Sequence, residues 1–162
     1  VKAIDATRIE NALGLALRFH QGQRDKSGAP YVLHLLSVAM RAENSIVMQA
    51  ALLHDLLEDT DAKKEDLVAA DIDPAAIEAI ELLTHDLSET YASYVIRLKR
   101  NAIAKAAKLL DLHDNYRLDR VAYRLQHRES DAKRIQKYIL SKQFLSDEIS
   151  EECYAQAMQE LE

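Results

Sequence analysis

Ala51-Leu52-Leu53-His54-Asp55-Leu56-Leu57-Glu58-Asp59-Thr60 sets a histidine and three carboxylates inside an almost wholly apolar run. Burying ionisable groups among leucines costs several kcal/mol unless a partner satisfies them, and a metal ion is the best candidate partner for this set. Extended back to Ser45, the stretch Ser45 to Glu58 reads as a helix that is apolar nearly all the way round, which marks it as central in a bundle. On that helix His54 lies one turn before Glu58, and Asp55 one turn before Asp59, so two polar ridges share one face.

Outward from this centre the period stays helical. From Thr7 to His20 the residues Ile9, Ala12, Leu13, Ala16 and Leu17 follow an amphipathic rhythm that lands on His20. Gln21 to Ala29, with Gly22 and Gly28, reads as a polar loop closed by Pro30 at the start of a helix to Ala42, whose stripe is Val32, Leu35, Leu36, Ala39 and Met40. Thr60 or Asp61 is expected to cap a short helix ending near Ala70, and Pro74 to open another with Ile77, Ile80, Leu82 and Leu83 inside. Thr90 to Lys99 is a further helix, and a break near Asn101 leads into Ala102 to Tyr116, a second strongly buried helix that carries Asp111 amid leucines. From Leu118 onward two or more charged helices read as packing elements. With 3 Gly and 2 Pro there is little turn chemistry for strands, so the expected fold class is all-α, a compact helical bundle.

At 162 residues the chain suits one domain, 1–162, with a single core. Hydrophobic residues at 48% and charged residues at 30% describe a globular chain that is neither disordered nor membrane-embedded. The formal net charge of -6 argues against nucleic acid as a partner, because phosphate binding needs a basic face. Cys153 stands alone, which excludes a disulfide framework, suits a reducing compartment and predicts a small buried residue. No stretch reaches the roughly 18 apolar residues of a membrane span, so the expectation is a cytoplasmic protein with no membrane partner. Homo-oligomerisation is left open.

His34, His54, Asp55 and Asp111 offer N and O donors from segments that periodicity places in or beside one core. Imidazole with carboxylate suits a divalent ion such as Mn, Fe or Zn, and the absence of cysteine donors argues against a closed structural zinc site. Each residue also has a plainer reading, which for His54 and Asp55 is a hydrogen-bonded pair buried for packing. Asp111 can pair with Lys108 one turn away, His34 can be a core-edge histidine, and Glu58 and Asp59 can be an ordinary helix end. His20 is equally a packing residue or a substrate contact.

The blocks around these residues resemble the HD superfamily of metal-dependent phosphohydrolases, and within it the RelA/SpoT-type hydrolases of (p)ppGpp. Phe19-His20-Gln21-Gly22-Gln23 is similar to A-H-x-G-Q, and Lys26-Ser27-Gly28-Ala29-Pro30-Tyr31-Val32-Leu33-His34 to K-S-G-E-P-Y-x-x-H. His54-Asp55-Leu56-Leu57-Glu58-Asp59-Thr60 matches H-D-x-x-E-D-T, and Lys108-Leu109-Leu110-Asp111 with Asn115 resembles K-L-A-D-x-x-x-N. The resemblance covers the N-terminal two-thirds and implies a compact HD-type helical fold, similar to the small stand-alone hydrolases. It implies Mn²⁺, or another divalent transition metal, on His34, His54, Asp55 and Asp111, with Glu58 and Asp59 orienting or deprotonating the attacking water. It also implies a small phosphorylated nucleotide as substrate, met by Arg24, Lys26, Ser27 and Asn115, and release of pyrophosphate from the 3′ position of (p)ppGpp.

The chain departs from the family pattern at several places. Asp25 stands where an arginine that stacks on guanine usually precedes K-S-G. Ala29 replaces Glu, Leu35 replaces the Pro after the ligand histidine, and Leu118 replaces a Thr. Two further functions therefore stay open: hydrolysis of another nucleotide, such as a nucleoside phosphate or NADPH, and metal and nucleotide binding without turnover.

Overall fold

The computed structural model describes residues 5–117 and 124–161, and over these the architecture is all-α. Helices α1 (Ala6–Phe19), α2 (Val32–Ala39) and α3 (Ser45–Leu52) are followed by a single turn, α4 (Leu56–Asp59). Then come α5 (Lys64–Ala69), α6 (Pro74–Leu83), α7 (Tyr91–Lys99) and α8 (Ala102–Asn115). A 3-10 turn at Leu125–His127 leads into α9 (Arg128–Leu145), and α10 (Glu151–Gln159) closes the order. Leu118, one of the family departures, lies outside the described residues.

The expected central helix is central: α3 packs against α1, α2, α6 and α8, and Ala50, Ala51, Leu53 and Leu56 are fully buried along it and just beyond it. It is not continuous to Glu58, however. Leu53 and Asp55 adopt φ/ψ of -116/11° and -102/1°, and the chain turns between α3 and α4 at His54 and Asp55. The reason is local. His54 Nδ1–H donates to the Ala51 carbonyl at 2.8 Å, the acceptor that the Asp55 amide would use in an uninterrupted helix.

Caps set the other boundaries. Asp5, Asn44, Asp73, Thr90, Asn101 and Ser150 each accept a main-chain N–H from the first turn of the helix they precede. Thr60 does not cap α5. Its hydroxyl donates back to the Leu56 carbonyl at 2.5 Å, and α5 starts later, where the Asp66 carboxylate accepts the Lys63 amide at 2.9 Å.

Pro30 does not open α2 either. It forms an isolated antiparallel bridge with Arg24, so residues 23–31 make a small hairpin in which Gly28 takes φ of 86°, and Gly22 just before it takes 82°. With α2 beginning at Val32, its buried face is His34, Leu35, Val38 and Ala39, and Met40 is exposed. On α10 the buried residues are Tyr154 and Met158, which leaves Cys153 exposed rather than buried as expected. Tyr154 stacks on Phe144 of α9 with ring centres 4.6 Å apart. Among the described residues no helix is long and apolar enough to cross a membrane.

Candidate active site

The turn between α3 and α4, the first half of α2 and the second half of α8 bring His34, His54 and Asp111 together, all three buried, with one donor atom of each within 4.8 Å of the others. His54 Nε2 lies 3.5 Å from Asp111 Oδ1 and 2.9 Å from Asp55 Oδ2, and His34 Nε2 lies 3.3 Å from Asp111 Oδ1. Such separations match neighbouring ligands around one cation with bonds of about 2.1 Å. Both imidazoles are held from behind. His54 spends Nδ1–H on Ala51, and His34 Nδ1–H donates to Asp114 Oδ2 at 2.8 Å, so each presents Nε2 to the cluster.

The charge balance of the cluster calls for a cation. Burial works against protonating His54, yet Asp55 and Asp111 more than offset it and hold its pKa well above the ordinary value. Asp111 is held well below the carboxylate range: burial opposes this, and Lys108 and His54 prevail. The plainer reading of Asp111 is realised alongside the other, because Lys108 Nζ donates to Oδ2 at 2.8 Å while Oδ1 faces the imidazoles. His54 Nε2 remains sealed from solvent without a hydrogen-bond partner. A buried imidazole nitrogen with no hydrogen bond, in ion-pair contact with two carboxylates, fits a divalent metal ion, so these residues form a candidate metal centre.

His34 and Asp111 of the cluster line a cavity of about 450 Å³, with His54 buried behind them. The same cavity is lined by the other sequence-predicted residues: Asp55, Glu58, Asp59, Arg24, Lys26, Ser27 and Asn115. Glu58 accepts the His85 amide at 2.9 Å, and the Asp59 carboxyl is pushed up by burial and by Asp55 and Glu58. Asn115 Nδ2 donates to Asp111 Oδ1 at 2.7 Å, so this residue supports a cluster carboxylate as well as lining the cavity. Arg24 bonds the Gly28 carbonyl at 2.9 Å across its hairpin. Asp25, the departure from the family pattern, staples the hairpin: its Oδ1 accepts from the Ser27 amide at 2.9 Å, the Ser27 hydroxyl at 2.6 Å and the Ala29 amide at 3.0 Å.

Several contributors escape the sequence reading. Asp114 is fully buried, and besides His34 it takes the Ser37 hydroxyl at 2.5 Å. Its signal was its place three residues after Asp111, on the same face of α8. Tyr31, inside the K-S-G block, donates its hydroxyl to Asp55 Oδ2. Burial and Asp55 raise its pKa, which keeps it a donor. His85 is half-buried with its ring 4.9 Å from that of Tyr94. Helix α9, read as a packing element, adds Arg134 and Tyr138 to the cavity, and their four-residue spacing was the available sign. Burial and the repulsion of Arg134 and Arg124 push the Lys26 ammonium down, which marks a crowded cationic rim.

Comparison with known proteins adds to this geometry. No protein-family model matches the chain. A metazoan ortholog of SpoT, described as hydrolysing ppGpp and acting in starvation responses, superposes with a TM-score of 0.65 at 28% identity, covering 88% of each chain. Through most of its length the chain is similar to this SpoT ortholog and shares its all-α fold. It is also similar to a GTP pyrophosphokinase of Streptomyces coelicolor, 44% identical over 64 residues, which are 37% of this chain and 8% of the relative. A guanosine-3′,5′-bis(diphosphate) 3′-pyrophosphohydrolase of Vibrio cholerae is 50% identical over 54 residues, 31% of this chain and 8% of the relative. These matches thus span less than a tenth of either of the two curated relatives, whereas the likeness to the solved HD protein runs through most of the chain.

Proposed function

We propose that this protein is a metal-dependent phosphohydrolase that removes pyrophosphate from the 3′ position of (p)ppGpp, working as one HD phosphohydrolase domain with Mn²⁺. The observation that carries the reading is the buried His54 Nε2, without a hydrogen bond and set against Asp55 and Asp111, behind a cavity that His34, Asp55 and Asp111 line together with Glu58, Asp59 and a cationic rim. His34, His54, Asp55 and Asp111 would hold the ion. When bound, a divalent cation supplies Lewis acidity at the phosphoryl oxygen and brings the pKa of water toward neutrality.

The chain's own groups do the rest. Glu58 or Asp59 takes the proton of the attacking water, and burial beside Asp55 and Glu58, which raises the Asp59 pKa, suits Asp59 to that task. Arg24, Lys26 and Arg134 counter the charge of the polyphosphate, which an overall acidic protein must do locally. Ser27 and Asn115 contact the nucleotide. Tyr31 holds Asp55 in place, and Asp114 holds His34. A cytoplasmic setting belongs to the same proposal and agrees with the free thiol of Cys153.

One observation favours a second reading, hydrolysis of a different phosphorylated nucleotide. Asp25 is built into the hairpin where a guanidinium would stack on guanine, so the base is met differently here. Metal analysis and a nucleotide panel on one preparation decide between the two. Release of pyrophosphate from ppGpp in Mn²⁺ supports the first, turnover of nucleoside phosphates or NADPH instead supports the second, and bound metal without any turnover overturns both.

A further inference from the structure

The block His20-Gln21-Gly22-Gln23 has no role in the reading above, yet it is bonded to the segment that carries Glu58 and Asp59. His20 is 3% exposed at the end of α1, and its Nδ1–H donates to Gln23 Oε1 at 2.7 Å. Gln23 Nε2 in turn donates to the main-chain carbonyl of Asp59 at 2.9 Å. The amide nitrogen must face that carbonyl, so its oxygen faces the imidazole, which then carries its proton on Nδ1. Gly22, at φ 82°, supplies the left-handed turn that lets residue 23 fold back toward residue 20. The Gln23 main chain is tied at both ends, its N–H to the His20 carbonyl at 3.1 Å and its carbonyl to the Tyr31 amide at 3.0 Å.

The receiving element needs such support. α4 has four residues, Leu56–Asp59, and a single helical turn does not hold itself in water. Its last carbonyls have no partner within the helix, and Gln23 supplies one for Asp59. We propose that His20 and Gln23 form a positioning strut that keeps the Asp59 end of α4 in register with the metal cluster, so that they act on turnover through Asp59. The proposal rests on the hydrolase reading.

The test compares the full chain, loaded with Mn²⁺, with Gln23→Leu, His20→Leu and His20→Asn, the last keeping an N–H close to the imidazole Nδ1 position. For the best nucleotide of the panel, both leucine variants are expected to lose about 10- to 100-fold in kcat while KM and bound metal stay within about twofold. His20→Asn is expected to retain most of the turnover. Hydrogen exchange at residues 56–60 gives a readout independent of activity, expected to quicken in the leucine variants and not in His20→Asn. Unchanged kcat, a rise in KM alone, loss of metal, or unchanged exchange in the leucine variants overturns the strut. A wild-type chain that turns over no nucleotide overturns the hydrolase reading, and the exchange data then still decide the strut.

Discussion

At the scale of single residues, the site is built from imidazoles whose rear nitrogens are already committed. Asp114 is the clearest case, because a fully buried carboxylate on His34 Nδ1 fixes both the tautomer and the ring direction. Asp114→Asn keeps the shape and weakens that hold, so metal affinity should fall about 10- to 100-fold, read by titration with Mn²⁺ alongside a melting curve. Glu58 and Asp59 make no such contribution to the cluster. Glu58→Gln and Asp59→Asn should leave metal content unchanged, and the variant that removes the true base should lower kcat by about 10²- to 10⁴-fold. His54, Asp55 and Asp111 were legible because ionisable groups amid leucines are an energetic anomaly in any sequence. Asp114 was less so, since beside His113 and Asn115 it sits in a polar helix end where its spacing from Asp111 is the one sign of an inward face.

At the scale of elements, the break between α3 and α4 matters most. A continuous helix would have put His54 and Glu58 on one ridge, whereas the turn at residues 53–55 points His54 into the cluster and leaves Glu58 exposed on a separate one-turn helix. Leu53, fully buried at that break, anchors it. Leu53→Ala should destabilise the protein by about 2–5 kcal/mol, measurable as a lower midpoint in urea, because both transfer energy and a cavity are lost. Helix existence was legible from the 3.6-residue period and from Pro74, Thr90 and Asn101. The break was not, because its cause is one side-chain hydrogen bond, from His54 to Ala51, that leaves no mark on hydrophobic pattern.

At the scale of the molecule, α9 and α10 complete what the N-terminal helices begin. Lys99 and Lys105 grip Asp147 at 2.8 and 2.7 Å, and Lys99 also donates to the Phe144 carbonyl at 2.7 Å, which pins the end of α9 to α7 and α8. Hydrogen bonds from Lys105 and then Lys99 pull the Asp147 carboxyl down to about 2 from an ordinary 3.8. A depressed carboxylate stabilises the fold above its unfolded pKa and loses that contribution as pH falls through the folded one. The contribution should therefore be intact at neutral pH and vanish between about pH 4 and pH 2. Asp147→Asn should remove it, so thermal melts of wild type and variant should differ at pH 6 and converge in acid.

The sequence by itself determined the all-α class, the two buried helices at the centre and the residues proposed to hold a metal. Hydrophobic period and the cost of buried charge are local properties that can be read along a chain. Only the tertiary structure decided that α3 stops at Leu52, that Asp114 stands behind His34 and that Arg134 and Tyr138 of α9 line the cavity. Each of these depends on which groups meet across the bundle, where one hydrogen bond or one packed face outweighs local propensity.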